Sequence, residues 1–329
     1  MKTQKYNYGT AILSAFEYLL ENYKETFVIG QGLWSPWYVG NSMTDLDKKF
    51  GKDRVIDTPV SESATTGAAI GASLVGMKPI VVHPRMDFML YAMDAIVNQA
   101  AKWSHMFGGQ ANPGVTIRSI INRGGEQGAQ HSQALHAWFA HVPGLRVVMP
   151  STVADARDLL IASVLCKDPV IYIDDRWLYE LEDELLPVTE IDLIKEKPKV
   201  SIFGNDLTIV ACGHSSFLAR EASKKLKSEN ISAEVVDVRI LNPLYIKDII
   251  YSVKKTRRLV VVDSGWISGG FSAELVAKIV ENLELGILLK PPVRIALPDA
   301  PAPTPKVLED QYYTRVNDII FEIKRMLKP

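Results

Sequence analysis

Short, almost wholly apolar runs alternate with helical stretches along this chain, and that alternation constrains the fold more than any other feature. Residues 27–29, 80–82, 115–121, 145–149 and 170–173 are rich in Val and Ile and too short for helices. Residues 8–23, 63–75, 91–107, 133–140 and 153–166 lie around and between them and carry a helical period. A strand that is apolar on both faces needs cover on both faces, so the pattern predicts an α/β fold with a parallel sheet flanked by helices.

The pattern breaks after Tyr179. Residues 180–184 form an acidic cluster, and a polar, Pro-containing stretch runs on to Lys199, which reads as a linker crossing a surface. The alternation then restarts, with strands expected at 207–211, 233–239, 259–263 and 293–296 and helices at 216–228, 270–281 and 316–326. With 329 residues there is enough chain for two cores. The organisation expected is a first domain over 1–185, a linker over 186–200 and a smaller α/β domain over 201–329.

Composition excludes several classes. The 37 basic and 38 acidic residues leave a net charge of −1, and there is no polybasic run, which argues against nucleic acid and against a membrane surface. No window approaches the roughly 20 apolar residues of a membrane span, and no apolar stretch comes after Met1–Tyr6, so no signal peptide is expected. Cys166 and Cys212 are far apart in apolar surroundings, as buried thiols of a reducing cytoplasm would be.

Familiar catalytic signatures are missing from the sequence: a Walker A loop, a Gly-x-Gly-x-x-Gly turn after the first strand, a Gly-x-Ser-x-Gly elbow and a Cys-x-x-Cys pair. His131, His136 and His141 recur every five residues, which does not make a zinc-binding helix face. Three elements remain. Glu62 closes Asp57-Thr58-Pro59-Val60-Ser61-Glu62 and opens a run of small residues to Ser73, with Ser61 placed to cap the helix. By itself Glu62 reads as a first-turn acid favourable to the helix dipole. Phe88 and Tyr91 come after the strand 80–82, where ligand sites form in open parallel sheets. His131 lies just past the Gly-rich segment Gly124-Gly125-Glu126-Gln127-Gly128, a placement better suited to proton transfer than to packing. Acid, aromatic platform and imidazole each follow a separate turn of the first domain. Nothing in the chain reads as a grip for phosphate or metal, so a phosphorylated ligand would be held at its charged end by another chain.

Longer motifs carry a resemblance over nearly the full chain. They are Arg54-Val-Ile-Asp-Thr-Pro-Val-Ser-Glu62, Asp94-Ala-Ile-Val-Asn-Gln-Ala-Ala-Lys102, Gln130-His-Ser-Gln133 with Ala137-Trp138, and His141-Val-Pro-Gly-Leu-Arg-Val-Val-Met149. Asp263-Ser-Gly-Trp266 with Gly269-Gly270, and Lys306-Val-Leu-Glu-Asp310, come later. In order and spacing they resemble the beta subunit of thiamine-diphosphate-dependent 2-oxoacid dehydrogenases, the group of the pyruvate, branched-chain and acetoin enzymes. The resemblance implies a pyrimidine-binding thiamine-diphosphate domain followed by a transketolase C-terminal-like domain. It implies an alpha subunit in a heterotetramer of two alpha and two beta chains, with magnesium and the diphosphate held mainly by the alpha chain. The implied reaction is oxidative decarboxylation of a 2-oxo acid with acyl transfer to a lipoyl domain of an acyltransferase core. Glu62 would hydrogen-bond the aminopyrimidine ring nitrogen, Phe88 and Tyr91 would supply the aromatic wall, and His131 would transfer protons near the substrate. Val115, Ser163, Val164, Cys166 and Asp168 match a potassium site of some relatives, built mostly of backbone carbonyls.

The chain also departs from the family pattern. Gly30-Gln31-Gly32 stands where Gly-Glu-Asp or Gly-Glu-Glu is common, so Gln31 lines the cofactor side with a neutral group. Leu33-Trp34-Ser35-Pro36-Trp37-Tyr38 replaces a Gly-rich arm, and Met86-Asp87-Phe88 replaces Phe-x-Phe. Ser63-Ala64-Thr65-Thr66 comes after Glu62 where a bulkier residue is typical. These departures predict a remodelled substrate channel. They leave two alternatives open: a thiamine-diphosphate lyase or carboligase with no lipoyl partner, and a scaffold subunit that has lost catalysis.

Overall fold

The computed structural model describes residues 3–35 and 39–328, so Pro36, Trp37 and Tyr38 of the aromatic segment lie outside the described residues. The chain divides into two compact units, residues 1–123 with 138–196, and residues 124–137 with 197–329.

The first unit contains strands β1 (Gln4–Asn7), β2 (Thr26–Gln31), β3 (Val55–Thr58), β4 (Lys78–His83), β5 (Thr116–Ile121), β6 (Arg146–Val148), β7 (Val170–Asp175) and β8 (Glu182–Leu185). Its helices include α1 (Tyr8–Asn22), α2 (Leu46–Phe50), α3 (Glu62–Leu74), α4 (Met86–Met89), α5 (Trp103–Met106), α6 (His136–His141), whose first two residues fall in the second unit, and α7 (Val153–Leu165). Six strands pair in the order β6-β7-β5-β4-β2-β3, each pairing parallel. The expected strands are all present. All six positions of β5 and β7 are buried, as strands covered on both faces require. From β2 the chain passes to β3 on one side and then crosses back to β4 on the other. That reversal opens a crevice at the carboxyl ends of the strands, where open parallel sheets take ligands.

The structure corrects two expectations. The acidic run 180–184 does not simply begin a linker: β8 pairs antiparallel with β1, and Lys5 and Thr3 meet Glu182 and Glu184 at 2.7 and 2.8 Å. The helix expected over 91–107 is broken into a 3₁₀ turn (Leu90–Ala92), a π turn (Ala95–Ala100) and α5. A wider turn rotates the side chains after it away from a regular helical face.

The second unit holds β9 (Lys199–Ile202), β10 (Leu207–Ala211), β11 (Ala233–Asp237), β12 (Ile240–Asn242), β13 (Leu259–Trp266) and β14 (Val293–Leu297), with α8 (Gly213–Lys227), α9 (Lys247–Thr256), α10 (Phe271–Glu281), α11 (Lys306–Tyr312) and α12 (Val316–Leu327). Its sheet runs β14-β13-β10-β11-β9, parallel except for β9. Leu218, Ala222 and Leu226 of α8 and Ile319, Ile323 and Met326 of α12 close its core at helical spacing. The strand β9 and helix α9 were not legible in the sequence.

Candidate active site

The crevice of the first unit is a pocket lined by Gly30 and Gln31 from β2, Thr58 and Pro59 after β3, and Ser61, Glu62 and Thr65 at the start of α3. Val82, His83, Pro84, Arg85 and Phe88 from the end of β4 and the start of α4 complete it. Three parallel strands end there together, so residues far apart in sequence face one space.

Glu62 opens α3 and is half-buried in this wall. Ser61 occupies the N-cap position, but its side chain makes no capping hydrogen bond. The first-turn amides of α3 therefore have no side-chain cap, and their positive end of the helix dipole lies beside Glu62. Phe88 is half-buried and lines the same pocket, as does Gln31. Gly30 has a strict steric role: a Cβ there would lie 2.4 Å from the Val82 carbonyl oxygen, so only glycine lets β2 and β4 pass this closely. An acid, an aromatic face and the hydroxyls of Thr58, Ser61 and Thr65 around a narrow opening fit a flat, nitrogen-bearing ring.

Tyr91 does not join them. It is 74% exposed and absent from the lining, because the 3₁₀ turn after α4 directs it elsewhere. Trp34 is likewise engaged away from the pocket: its indole N–H donates to the Val55 carbonyl at 2.8 Å and Lys52 lies 4.0 Å over its ring. His83 carries no signal in the sequence, and Thr66 stands out there only as part of the segment after Glu62. His83 Nε2 lies 3.1 Å from Thr66 Oγ1, with both residues buried, and burial lowers the imidazole from its ordinary value of 6.5 to about 4.

The residues matched to a potassium site fall at the end of α7 and the start of β5. The Val115 carbonyl accepts from the Val170 amide at 2.9 Å, and the Asp168 carboxylate is paired with Arg146 at 2.7 Å. Ser163 and Val164 are buried in the last turn of α7, with Cys166 as its C-cap.

His131 belongs to the second unit, on the loop 124–137. Its amide donates to the Gly128 carbonyl at 3.5 Å, and Gly128 has a positive φ of 70°. A Cβ at Gly128 would come within 2.6 Å of Thr304 Oγ1. Glu309 of α11 accepts from the Glu126 amide at 3.1 Å, and Glu126 accepts from the Lys306 amide at 3.3 Å, so the loop is pinned to α11. The same unit buries His136 against Asp263, Nε2 to Oδ1 at 2.8 Å, with the Cys212 sulfur inside the same cluster. Burial pushes Asp263 up, but His136 and the Gly265 and Ser272 amides outweigh it and hold the carboxyl below its usual range.

Sequence comparison places this geometry in a family. Residues 4–180 match the transketolase pyrimidine binding domain and residues 197–319 the transketolase C-terminal domain. The pyruvate dehydrogenase E1 component subunit beta of Bos taurus is 34% identical over 93% of this chain and 82% of that protein. The acetoin:2,6-dichlorophenolindophenol oxidoreductase subunit beta of Cupriavidus necator is 40% identical over 84% of this chain and 81% of its own length.

The chain belongs to the beta subunits of thiamine-diphosphate-dependent 2-oxoacid dehydrogenases.

The Arabidopsis thaliana pyruvate dehydrogenase E1 component subunit beta-1 aligns with 96% of this beta subunit at 36% identity. A split gene transketolase described as an inactive beta4 tetramer shares the fold at a TM-score of 0.76 and 22% identity, covering 97% of this chain and 96% of that one. A beta subunit of this family works with an alpha partner and uses thiamine diphosphate. The 2-oxoacid dehydrogenase reading of the sequence is thereby borne out.

Proposed function

We propose that this beta subunit forms the pyrimidine half of an active site that decarboxylates a 2-oxo acid and passes the acyl group to a lipoyl domain. The observation that carries the reading is Glu62 at the uncapped start of α3, in one pocket with Phe88 and Gly30. Thiamine diphosphate, when bound, supplies the electron sink for decarboxylation. Glu62 holds a proton at the ring nitrogen of the pyrimidine, Phe88 packs on the ring face, and Gly30 lets β2 lie close against β4 at the pocket wall. Gln31 keeps the entrance uncharged. His131, on its pinned loop, moves a proton at the substrate.

Magnesium and the diphosphate belong to the alpha chain in this reading. Potassium would be held by main-chain oxygens at the end of α7: the Cys166 and Lys167 carbonyls crowd Gly114, 3.4 and 3.3 Å from a Cβ built there, while the Asp168 carboxylate is already paired. The alpha chain, in a heterotetramer of two alpha and two beta subunits, would cover the outer face of α3, where Ser63, Ala64, Gly67, Ala68 and Gly71 are exposed. A lipoyl acyltransferase core receives the acyl group. Two free cysteines support a cytoplasmic location.

The test is co-expression with the alpha chain and a panel of 2-oxo acids, scored by carbon dioxide release and by acylation of added lipoyl domain. Acylation of the lipoyl domain is expected. Carbon–carbon bond formation with no lipoyl transfer would replace this reading with a carboligase.

A further inference from the structure

We propose that His83 is a positioning residue that, through Thr66, sets the helix presenting Glu62 to the pocket. This rests on the reading of that pocket as the pyrimidine site. Three observations carry it. The first is chain geometry: His83 ends β4, paired with Ser119 of β5, and lines the pocket, while Thr66 lies one turn after Glu62 on α3. The second is that α3, though packed through the buried Ala69 and Ile70, has few polar ties. Its N-cap side chain makes no hydrogen bond. Among the described residues, the 3.1 Å contact between His83 Nε2 and Thr66 Oγ1 is the one side-chain hydrogen bond joining α3 to another element. The third is burial: His83 is 3% exposed and Thr66 0%, so this bond forms without competition from water and its loss would leave polar atoms unpaired inside the protein.

The ring is also suited to its surroundings. Burial keeps the imidazole neutral at physiological pH, so the latch adds no positive charge beside Glu62. Glu62 and Arg85 are the charged side chains lining the pocket with it. A cation at position 83 would attract the Glu62 carboxylate. An apolar residue would fill the space without fixing α3.

The experiment compares Thr66→Val, Thr66→Ser, His83→Phe and the Thr66→Val/His83→Phe double variant, each as the assembled complex with the alpha chain. Thiamine diphosphate binding in the presence of magnesium is read by calorimetry, and the melting temperature of the cofactor-free complex is read alongside. Thr66→Val and His83→Phe should each weaken binding about tenfold, with the double variant no weaker than the worse single, as expected for two residues acting through one contact. Thr66→Ser keeps the hydroxyl and should bind within about twofold of the parent. Thr66→Val binding like the parent, or Thr66→Ser failing like Thr66→Val, would overturn the latch. If Thr66→Val blocks assembly, His83→Gln against His83→Leu carries the same comparison. A parent complex that does not bind thiamine diphosphate removes the pyrimidine-site reading, and the latch with it.

Discussion

Asp174 Oδ2 accepts a hydrogen bond from Arg118 Nη2 at 2.9 Å, and neither side chain has any exposed surface. The same nitrogen donates to Ser42 Oγ and the Tyr179 hydroxyl at 2.9 and 2.7 Å, and Arg118 Nε donates to Asp174 Oδ1 at 3.2 Å. β5 reads as an apolar run, yet it places an arginine in the middle of the first unit because its neighbour β7 supplies the carboxylate. Asp174→Asn leaves that guanidinium buried without its counter-charge. It should destabilise the chain by about 3–5 kcal/mol, whereas replacing both partners with apolar residues of similar volume should cost far less. Urea unfolding of the two variants tests the difference.

Glu62→Gln keeps the size of the side chain and removes its capacity to hold a proton in the required way. Turnover of the assembled complex should fall at least about 100-fold, with assembly unchanged. Decarboxylation rates and gel filtration measured on one preparation are sufficient. Near-normal turnover would remove Glu62 from the mechanism.

His83 predicts an acid limb of stability. Its folded value of about 4 lies below the ordinary 6.5, so between these pH values the unfolded chain binds the proton that the folded chain refuses. Stability from this group is fully present above pH 6.5 and declines as pH falls toward 4, by roughly 3 kcal/mol in all. Melting temperatures of parent and His83→Phe should therefore converge as the pH drops through this window. A constant difference across it would argue against a neutral buried imidazole.

Gly67 and Gly71 lie on the outer face of α3, and a Cβ built at either meets no atom within 4 Å. Leucine at Gly67 should leave the isolated chain folded, and by helix propensity slightly stabilised, by less than about 1 kcal/mol. In the proposed assembly it would hold the alpha chain off. Circular dichroism of the beta chain and size-exclusion of the co-expressed pair separate the two effects. Normal assembly would mean that the small-residue face is not the alpha contact.

Much of the site was legible because it depends on the local order of residue types along the chain. A carboxylate at a helix start and an aromatic just past a strand are local patterns, and Glu62 and Phe88 indeed share a pocket. Tyr91 departs from expectation for a local reason too: regular helical spacing does not hold where the backbone tightens and then widens into a π turn. The pairing of His83 with Thr66 carried no signal, since a histidine ending a strand and a threonine in a helix are ordinary until strand order brings them together.

By itself the sequence determined the alternation of strands and helices, the restart into a second α/β unit, and the family motifs, since these depend on short-range periodicity and on residue types at given spacings. Only the tertiary structure decided which polar groups became partners. Thr66 meets His83 across 17 residues, Arg118 meets Asp174 across 56, and His136 meets Asp263 across 127. Each pairing depends on the tertiary arrangement that brings distant segments together, and on the cost of leaving a buried polar group unpaired. Neither can be read from a residue's neighbours in the chain.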